Sequence, residues 1–575
     1  MKNAEIAQAF DELAALYELD GAVVYRVLAY RNAAKAIRDS GVSVGELARQ
    51  GRAEELAGVG KTIAEKIDAL LEEGEIPSAR KLKEKIPAGL IEITRIPGLG
   101  PKRTRVLHEA LGIETIEDLR RTAEDGRLRD VPGFGQKAEE NVLHALEAGA
   151  DGTPKPRVLL SQALEVGERL VEAMRDHPAA IRVELAGSAR RMTDTCKDLD
   201  IVAAAKDPRA LADAFCKLPW LDEASSPGDA GARAVTHHGI PVDLRIVPEE
   251  NFGNLLQHFT GSGRHNEAMR TAAVKRGLHV SEYGVADDES GKTHACATEE
   301  EVYELLGMRY IEPELREDRG ELEAAREHRL PQLVRLEDIQ GDLHMHTTVS
   351  DGRNTALEMA KAARDGGLDY IAITDHSASH GFGNDVTAQE LERQIERAAA
   401  ASRKVKGLKV LAGSEVNVLP DGALDYEDEL LARLDWIVAS LHTSFRMGEQ
   451  EMTERMIRAM EHPLVDAIGH PTGRLIGRRE PYALDVDAVI DAAARTGTFL
   501  EINANPNRRD LPDTYARAAA AKGVKLVIDS DAHGADTLDK LRFGVATARR
   551  AWLTKDDVAN TRSWAQLKKL RKRSR

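Results

Sequence analysis

The sequence predicts a multidomain protein with an all-helical N-terminal region, an α+β middle and a C-terminal α/β barrel. Three observations predict it. A Gly-apolar-Gly hairpin recurs three times before residue 150. Strands alternating with helices follow, and two of them carry Asp198, Asp200 and Asp243. From about residue 336 one pattern repeats: an apolar strand, a cluster of polar donors at its C-terminal end, then an amphipathic helix. A chain of 575 residues exceeds what one hydrophobic core serves, so about three to five domains are expected.

Hydrophobic residues make up 42% of the chain and charged residues 31%, the balance of an ordinary soluble protein, and no apolar run approaches the roughly 20 residues of a membrane span. The opening Met-Lys-Asn-Ala-Glu-Ile has no apolar signal region. Cys196, Cys216 and Cys296 are widely spaced, imply neither a disulfide framework nor a thiolate zinc site, and make a reducing cytoplasm the expected compartment. A formal net charge of -16 argues against coating nucleic acid by bulk positive potential, but not against local phosphate sites at helix N-termini. The basic end Gln566-Leu-Lys-Lys-Leu-Arg-Lys-Arg-Ser-Arg575 reads first as a solvated tail and second as a nucleic-acid contact.

In the helical region the repeated hairpins are Gly58-Val-Gly60, Gly98-Leu-Gly100 and Gly133-Phe-Gly135, each followed by a helix. The glycines allow a tight turn and close approach of a partner, while the apolar residue between them packs two helices together. The new helix then points free N–H groups and its positive dipole end outward, towards a DNA phosphate. This resembles the helix-hairpin-helix motif of DNA repair proteins, and three copies imply sequence-independent DNA binding. Together with Ala29-Tyr30-Arg31, residues 1–85 resemble the small lyase domain of family X DNA polymerases, with 86–150 as a helix-hairpin-helix fingers domain. That resemblance makes Lys66 the Schiff-base nucleophile. A second, phosphate-binding lysine of the family falls on Thr62 here, beside Lys61.

In the middle region Ile181–Leu185 ends in a Gly187-Ser188 turn followed by Arg190-Arg191. Asp198 and Asp200 are two apart at the start of the next strand and share a face, and Asp243 interrupts the apolar strand Pro241–Val247. Two carboxylates so placed repel, so either a cation sits there or both are solvated, and with Asp243 the three suit two Mg2+ or Mn2+ ions. The Gly-Ser, Arg-Arg, Asp-x-Asp, Asp order resembles the palm (151–250) of family X DNA polymerases, and 251–315 resembles its thumb. The resemblance implies that Asp198, Asp200 and Asp243 are catalytic metal ligands and that Gly187, Ser188 and Arg191 hold the triphosphate of a dNTP. It also implies that Phe259 packs at the sugar beside Gly261, that Asn266 contacts the incoming base and that Arg270 lies near the template. The chain departs from the family at Met192 and Lys197, where glycines are expected, and at His258, where a tyrosine is expected. The highly charged stretch 316–335 reads as a linker with some helix.

Residues 336–575 offer seven strands, Ile339–Leu343, Tyr370–Thr374, Val410–Gly413, Trp436–Ala439, Val465–Gly469, Thr498–Ile502 and Leu526–Ile528. Their alternation with helices predicts a parallel sheet closed towards a barrel, with the active site at its C-terminal face. Nine donors fall there: His344, His346, Asp351, His376, Glu415, His442, His470, Asp531 and His533. Imidazole with carboxylate suits Zn2+ or Mn2+, and nine ligands with one bridging carboxylate serve three ions. Arg474 is a candidate phosphate clamp, and Asp375 and Asp529 are read equally as orienting ligands or as structural. This half resembles the polymerase and histidinol phosphatase (PHP) domain, a distorted (β/α)7 barrel. By that resemblance His344, His346, Glu415 and Asp531 hold one ion, Glu415, His442 and His470 a second, and Asp351, His376 and His533 a third.

The order of modules resembles bacterial and archaeal family X DNA polymerases of the PolX type. It implies a monomeric gap-filling repair polymerase with a 3′–5′ exonuclease, and in some members abasic-site endonuclease activity. Two further readings stand beside it: a DNA-targeted nuclease or phosphatase with a weakened palm, and a DNA-end-binding scaffold that catalyses neither reaction.

Overall fold

Glycine and proline punctuation sets the helix starts of the N-terminal region. Gly60 and Gly100 cap the helices Lys61–Glu73 and Pro101–Leu111, and Gly58 has φ +90°, which a side chain disfavours. Val59, Leu99 and Phe134, the apolar residues between the paired glycines, are all buried. They join Ile6, Phe10, Leu13, Tyr30, Ile63 and Ile67 in one helical core. The computed structural model describes residues 1, 3–39, 44–56, 58–94, 96, 99–132, 134–135, 139, 142–143, 146, 157–237, 239–381 and 384–574, so Gly98 and Gly133 lie outside the described residues. The chain divides into two units, residues 1–155 and 156–575. Among the described residues no helix is long and apolar enough to cross a membrane.

In the second unit, a five-stranded sheet carries the middle region. Leu199–Ala205 lies parallel to Pro241–Val247, with Ala180–Leu185 antiparallel on one side and Gly231–Thr236 on the other. Beyond it come the helices Phe252–Thr260 and Gly263–Val274 and a three-stranded antiparallel sheet spanning 278–294.

The stretch expected to be a linker is packed. Arg316 and Glu321 are fully buried: Arg316 pairs with Glu299, and Glu321 accepts from His265 Nδ1 at 2.6 Å while His265 Nε2 lies 3.1 Å from the Tyr303 hydroxyl. The high charge of this segment reflects partners for buried counter-charges rather than solvation. Buried ions persist only when paired and hydrogen-bonded in this way.

All seven expected strands of the C-terminal half form, hydrogen-bonded in chain order as one parallel sheet. Its third strand is longer than expected, Lys409–Asn417, and so includes Glu415. The sheet curls until its ends meet. Leu343 N donates to Asp529 Oδ1 at 2.8 Å, Ser530 N to Asp342 Oδ1 at 3.1 Å, and Met345 bridges Ala532 in parallel, giving a nearly closed (β/α)7 barrel. Leu343, Leu411, Trp436, Val438, Phe499 and Val527 fill its interior with Trp564 and Leu567.

The basic C-terminal end is not a solvated tail. Arg573 Nε donates to Asp466 Oδ1 at 3.2 Å, Arg571 donates to the Asp435 carbonyl, and Lys572 Nζ reaches the Met460 carbonyl at 2.6 Å. The tail therefore seals the N-terminal end of the barrel, opposite the donors.

Candidate active sites

In the middle sheet the parallel register sets Asp200 directly beside Asp243, while Asp198 lies in the bend just before the strand, near enough for its charge to act on Asp200. Gly187 has φ +61°, and a Cβ there would lie 2.2 Å from Asp200 Oδ2, so only glycine leaves room for this carboxylate. Burial, then the charges of Asp198 and Asp243, push Asp200 up to about 7. Lys197 Nζ lies 3.4 Å from Asp198, and Arg245 Nε and Arg233 Nε lie 3.0 and 3.4 Å from Asp243. Among the described residues the groups of donors within 4.8 Å of one another all lie in the C-terminal barrel, and the palm carboxylates are not among them.

The raised Asp200 value fixes a pH dependence. Its folded value exceeds its unfolded one, so the folded state binds more protons between about pH 4 and 7 and metal-free stability falls as pH rises through that window. With a chelator, Asp200→Asn is therefore expected to melt at a higher temperature than wild type at pH 8 and at the same temperature near pH 4. Equal or lower melting at pH 8 would sink the assignment of strain to this carboxylate.

Ser188 lies in the short helix Gly187–Arg190. Arg191 Nε donates to Glu317 at 3.0 Å and its Nη1 to the Thr260 carbonyl at 2.9 Å. Met192 takes φ +54°, a conformation that a side chain disfavours. Gly261 has no room for a Cβ, which would meet Asn266 Oδ1 at 2.2 Å. The Asn266 amide donates to the carbonyls of His258 and Gly261 at 2.6 and 3.3 Å, so in this structure it holds its own turn rather than presenting an edge to a base. Phe259 lies under the Arg245 guanidinium at 5.9 Å, and Arg270 is exposed. In the other unit, Lys66 is half-buried, with Nζ 3.1 Å from Ser78 Oγ and 5.9 Å above the Tyr30 ring.

At the barrel mouth the strand ends bring all nine donors together. Glu415 is the hub: His376 Nδ1 and His470 Nε2 lie 2.9 Å from it, His442 Nε2 3.1 Å, His344 Nε2 3.2 Å and His346 Nε2 3.5 Å. Asp531 stands 3.2 Å from His346 Nε2, and Asp351 stands 3.2 and 3.6 Å from His533 and His376. Burial pushes Glu415 up, but His344, His442 and His376 around it hold it well below the usual carboxylate range. Burial, with His533 and His376 alongside, lowers His346 to about 3.

Three groups have their donor atoms within 4.8 Å of one another: His346, Asp351, His376 and His533; His344, His346 and Asp531; His376, Glu415 and His442. His470 joins through Glu415. His344 Nε2, both nitrogens of His346, Glu415 Oε2 and His470 Nδ1 are buried without hydrogen-bond partners. Buried polar atoms aimed at one another without partners are what divalent cations satisfy, so these residues fit a metal centre.

The supports of this mouth were only partly expected. Asp375 accepts from Thr347 N, Thr347 Oγ1, Ser350 Oγ and Gln394 Nε2, fixing the loop that presents Asp351. Glu501, unforeseen, accepts from His344 Nδ1 at 2.6 Å and from the His470 amide at 2.6 Å, so one carboxylate orients two ligands. Its sequence signal was a lone acid inside the apolar strand Phe499–Asn503.

Arg474 does not face the donors. It donates to the carbonyls of Arg508 and Arg509 and pairs with Asp194 of the middle region at 2.9 Å. Arg508 stands in its place, with Nε 3.7 Å from Asp531 and a buried Nη1 without a hydrogen-bond partner.

Family models match along the chain: a helix-hairpin-helix domain at residues 1–76, a SAM-like helix-hairpin-helix tandem at 90–148, the DNA polymerase beta thumb at 255–317 and the PHP domain at 342–505. The chain is 36% identical over 576 residues to the DNA polymerase/3′-5′ exonuclease PolX of Bacillus subtilis (strain 168), covering 100% of both proteins. It is also 32% identical over 239 residues to a probable phosphatase of Thermoanaerobacter sp. (strain X514), covering 38% of this chain and 89% of that protein. A probable phosphatase of Acetivibrio thermocellus is 32% identical over 208 residues, covering 33% and 78%.

Proposed function

The chain belongs to the family X DNA polymerases that carry a C-terminal PHP domain, and from that premise we propose that it fills gaps in primed DNA with dNTPs and trims 3′ ends in its barrel. The single observation that carries this reading is the pairing, in one unit, of the Asp200–Asp243 register in the palm with the Glu415-centred donor set of the barrel. In extension, the primer 3′ oxygen bonds to the α-phosphorus of the dNTP and pyrophosphate departs. Asp198, Asp200 and Asp243 would hold Mg2+ or Mn2+, which would neutralise the phosphate charge, while Ser188 and Arg191 hold the triphosphate and Phe259 and Gly261 flank the sugar. Gly58, Gly60 and Gly100 present the N-termini of helices Lys61–Glu73 and Pro101–Leu111 to DNA phosphates, and Gly98, Gly133 and Gly135 join them as DNA-binding residues by the sequence repeat alone.

In trimming, a water oxygen bonds to the phosphorus of the terminal phosphodiester and the bond to the preceding 3′ oxygen breaks, releasing a nucleoside monophosphate. Three Zn2+ or Mn2+ ions on the nine donors would supply Lewis acidity and charge neutralisation. Glu501 fixes the direction of His344 and the His470 backbone, Asp375 holds the Asp351 loop, and Arg508 steadies the phosphate. Abasic-site cleavage by the same barrel and Schiff-base lyase chemistry at Lys66 complete the reading for a monomeric repair enzyme.

A gapped, primed duplex with dNTPs and either magnesium or manganese tests it. Asp198→Ala/Asp200→Ala is expected to lose extension and keep 3′ trimming, and His344→Ala/His346→Ala to do the reverse. A second reading, a nuclease with a weakened palm, draws on the strained Met192 and the loosely gathered carboxylates. Wild-type trimming without extension would favour it. DNA binding without either reaction would favour a scaffold.

A further inference from the structure

The four-residue turn Arg191–Asp194, which follows the palm's Gly-Ser-Ala-Arg helix, is held at both ends by the PHP domain. At its start, Arg550 Nη1, from the barrel helix Leu541–Arg550, donates to the Arg191 carbonyl at 2.9 Å and to Glu317 Oε1 at 3.0 Å. The same Glu317 oxygen accepts from Arg191 Nε at 3.0 Å. At its end, the Asp194 carboxylate lies between Arg474 Nη1 at 2.9 Å and Arg509 Nη1 at 3.2 Å. Arg550 is in turn fixed by Asp513, at 3.1 Å, which also binds Arg319 at 3.0 Å.

Charge alternates through this chain. With two guanidinium groups sharing one carboxylate, the Arg191–Glu317–Arg550 set keeps a net positive charge, and Glu317 and the Thr260 carbonyl fix the plane of the Arg191 fork. Without Arg550, Glu317 would neutralise Arg191 alone. The turn also contains Met192 at φ +54°, a conformation that persists only where surrounding contacts over-determine it.

We propose that Arg550 and Glu317, together with the Arg474–Asp194–Arg509 clamp, position Arg191, so that the nuclease domain completes the nucleotide pocket of the polymerase. This rests on the reading of Arg191 as a triphosphate ligand. Arg550 touches no substrate; it is a positioning residue.

The test uses the full chain on a gapped duplex whose primer is dideoxy-terminated and protected by a 3′ phosphorothioate. Binding of dATP with magnesium is titrated, and extension and trimming are measured on the same preparations with reactive primers. Arg550→Met is expected to weaken dATP binding about tenfold, the loss of one charge-assisted contact, with DNA affinity, kcat for extension and trimming within about threefold of wild type. Arg550→Lys should recover part of the loss. Asp194→Asn should weaken dATP binding about threefold, the loss of a partly exposed ion pair.

Unchanged dATP binding in Arg550→Met with trimming intact overturns the proposal. So does an equal loss of DNA affinity, which marks a general structural role. Should Arg550→Met also lose trimming, Asp194→Asn decides, and unchanged dATP binding there overturns the proposal. Arg191→Lys separates the premise: if it leaves dATP binding unchanged, the assignment of Arg191 to the triphosphate is at fault and the proposal falls with it.

Discussion

Glu415→Gln is expected to lower 3′ trimming by at least about a hundredfold while leaving primer extension within about threefold of wild type, because a central ligand matters at least as much as the outer partners whose loss costs about 10–100-fold. The residue is the hub of the mouth: five imidazoles approach its two oxygens at 2.9–3.5 Å. Glutamine keeps the shape but removes the charge and replaces one acceptor with a donor, which then faces histidine nitrogens or a cation. Metal analysis of the purified variant should show fewer bound divalent ions per chain. Wild-type trimming with a full metal complement would remove Glu415 from the centre of the site.

Arg573→Ala is expected to destabilise the barrel by about 3 kcal/mol, the lower end of the penalty for stranding one member of a buried pair. Asp466 is fully buried, and burial pushes it up against the lowering effect of Arg573. Arg571, 3.8 Å away, and the Ile437 amide at 3.0 Å soften the loss. Denaturant unfolding followed by tryptophan emission reports it directly, since Trp436 and Trp564 lie in the barrel's inner cluster. Asp466→Asn/Arg573→Ala should recover much of the lost stability, as the stranded charge is gone. A change below about 1 kcal/mol would mean that the tail is held by its apolar contacts instead.

What could be read in advance was local. Each barrel strand is a short apolar run, and all of the nine donors but Asp351 sit within about four residues of its end while Asp351 follows on the adjoining loop, so the seven strands and the gathering of donors follow from the chain order itself. Asp200 and Asp243 likewise lie on strands whose apolar neighbours mark them out. What could not be read depends on partners far apart in sequence. Arg573 and Asp466 are 107 residues apart, and Glu321 needs His265, 56 residues earlier. A charged run looks the same to a local pattern whether water or a buried counter-ion receives it, so the 316–335 stretch reads as a linker with some helix and the basic end first as a solvated tail. Arg474 failed similarly: its distance from His470 suggested a shared site, but the chain turns at Gly473, φ +62°, and sends the side chain to Asp194. Arg508 carries no such local mark.

The contact between Arg550 and the Arg191 carbonyl spans 359 residues. A ribosome adding about 5–20 residues per second needs roughly 20–70 s to cover that distance. Throughout that interval the palm has emerged while the arginines that grip its strained turn have not yet been made. If Arg550 positions Arg191 as proposed, the polymerase pocket reaches its final form only when synthesis of the C-terminal barrel is nearly complete. On that proposal a chain released early would carry the palm carboxylates with the Arg191–Asp194 turn ungripped, so a palm without its barrel is disfavoured by the order in which the chain is made.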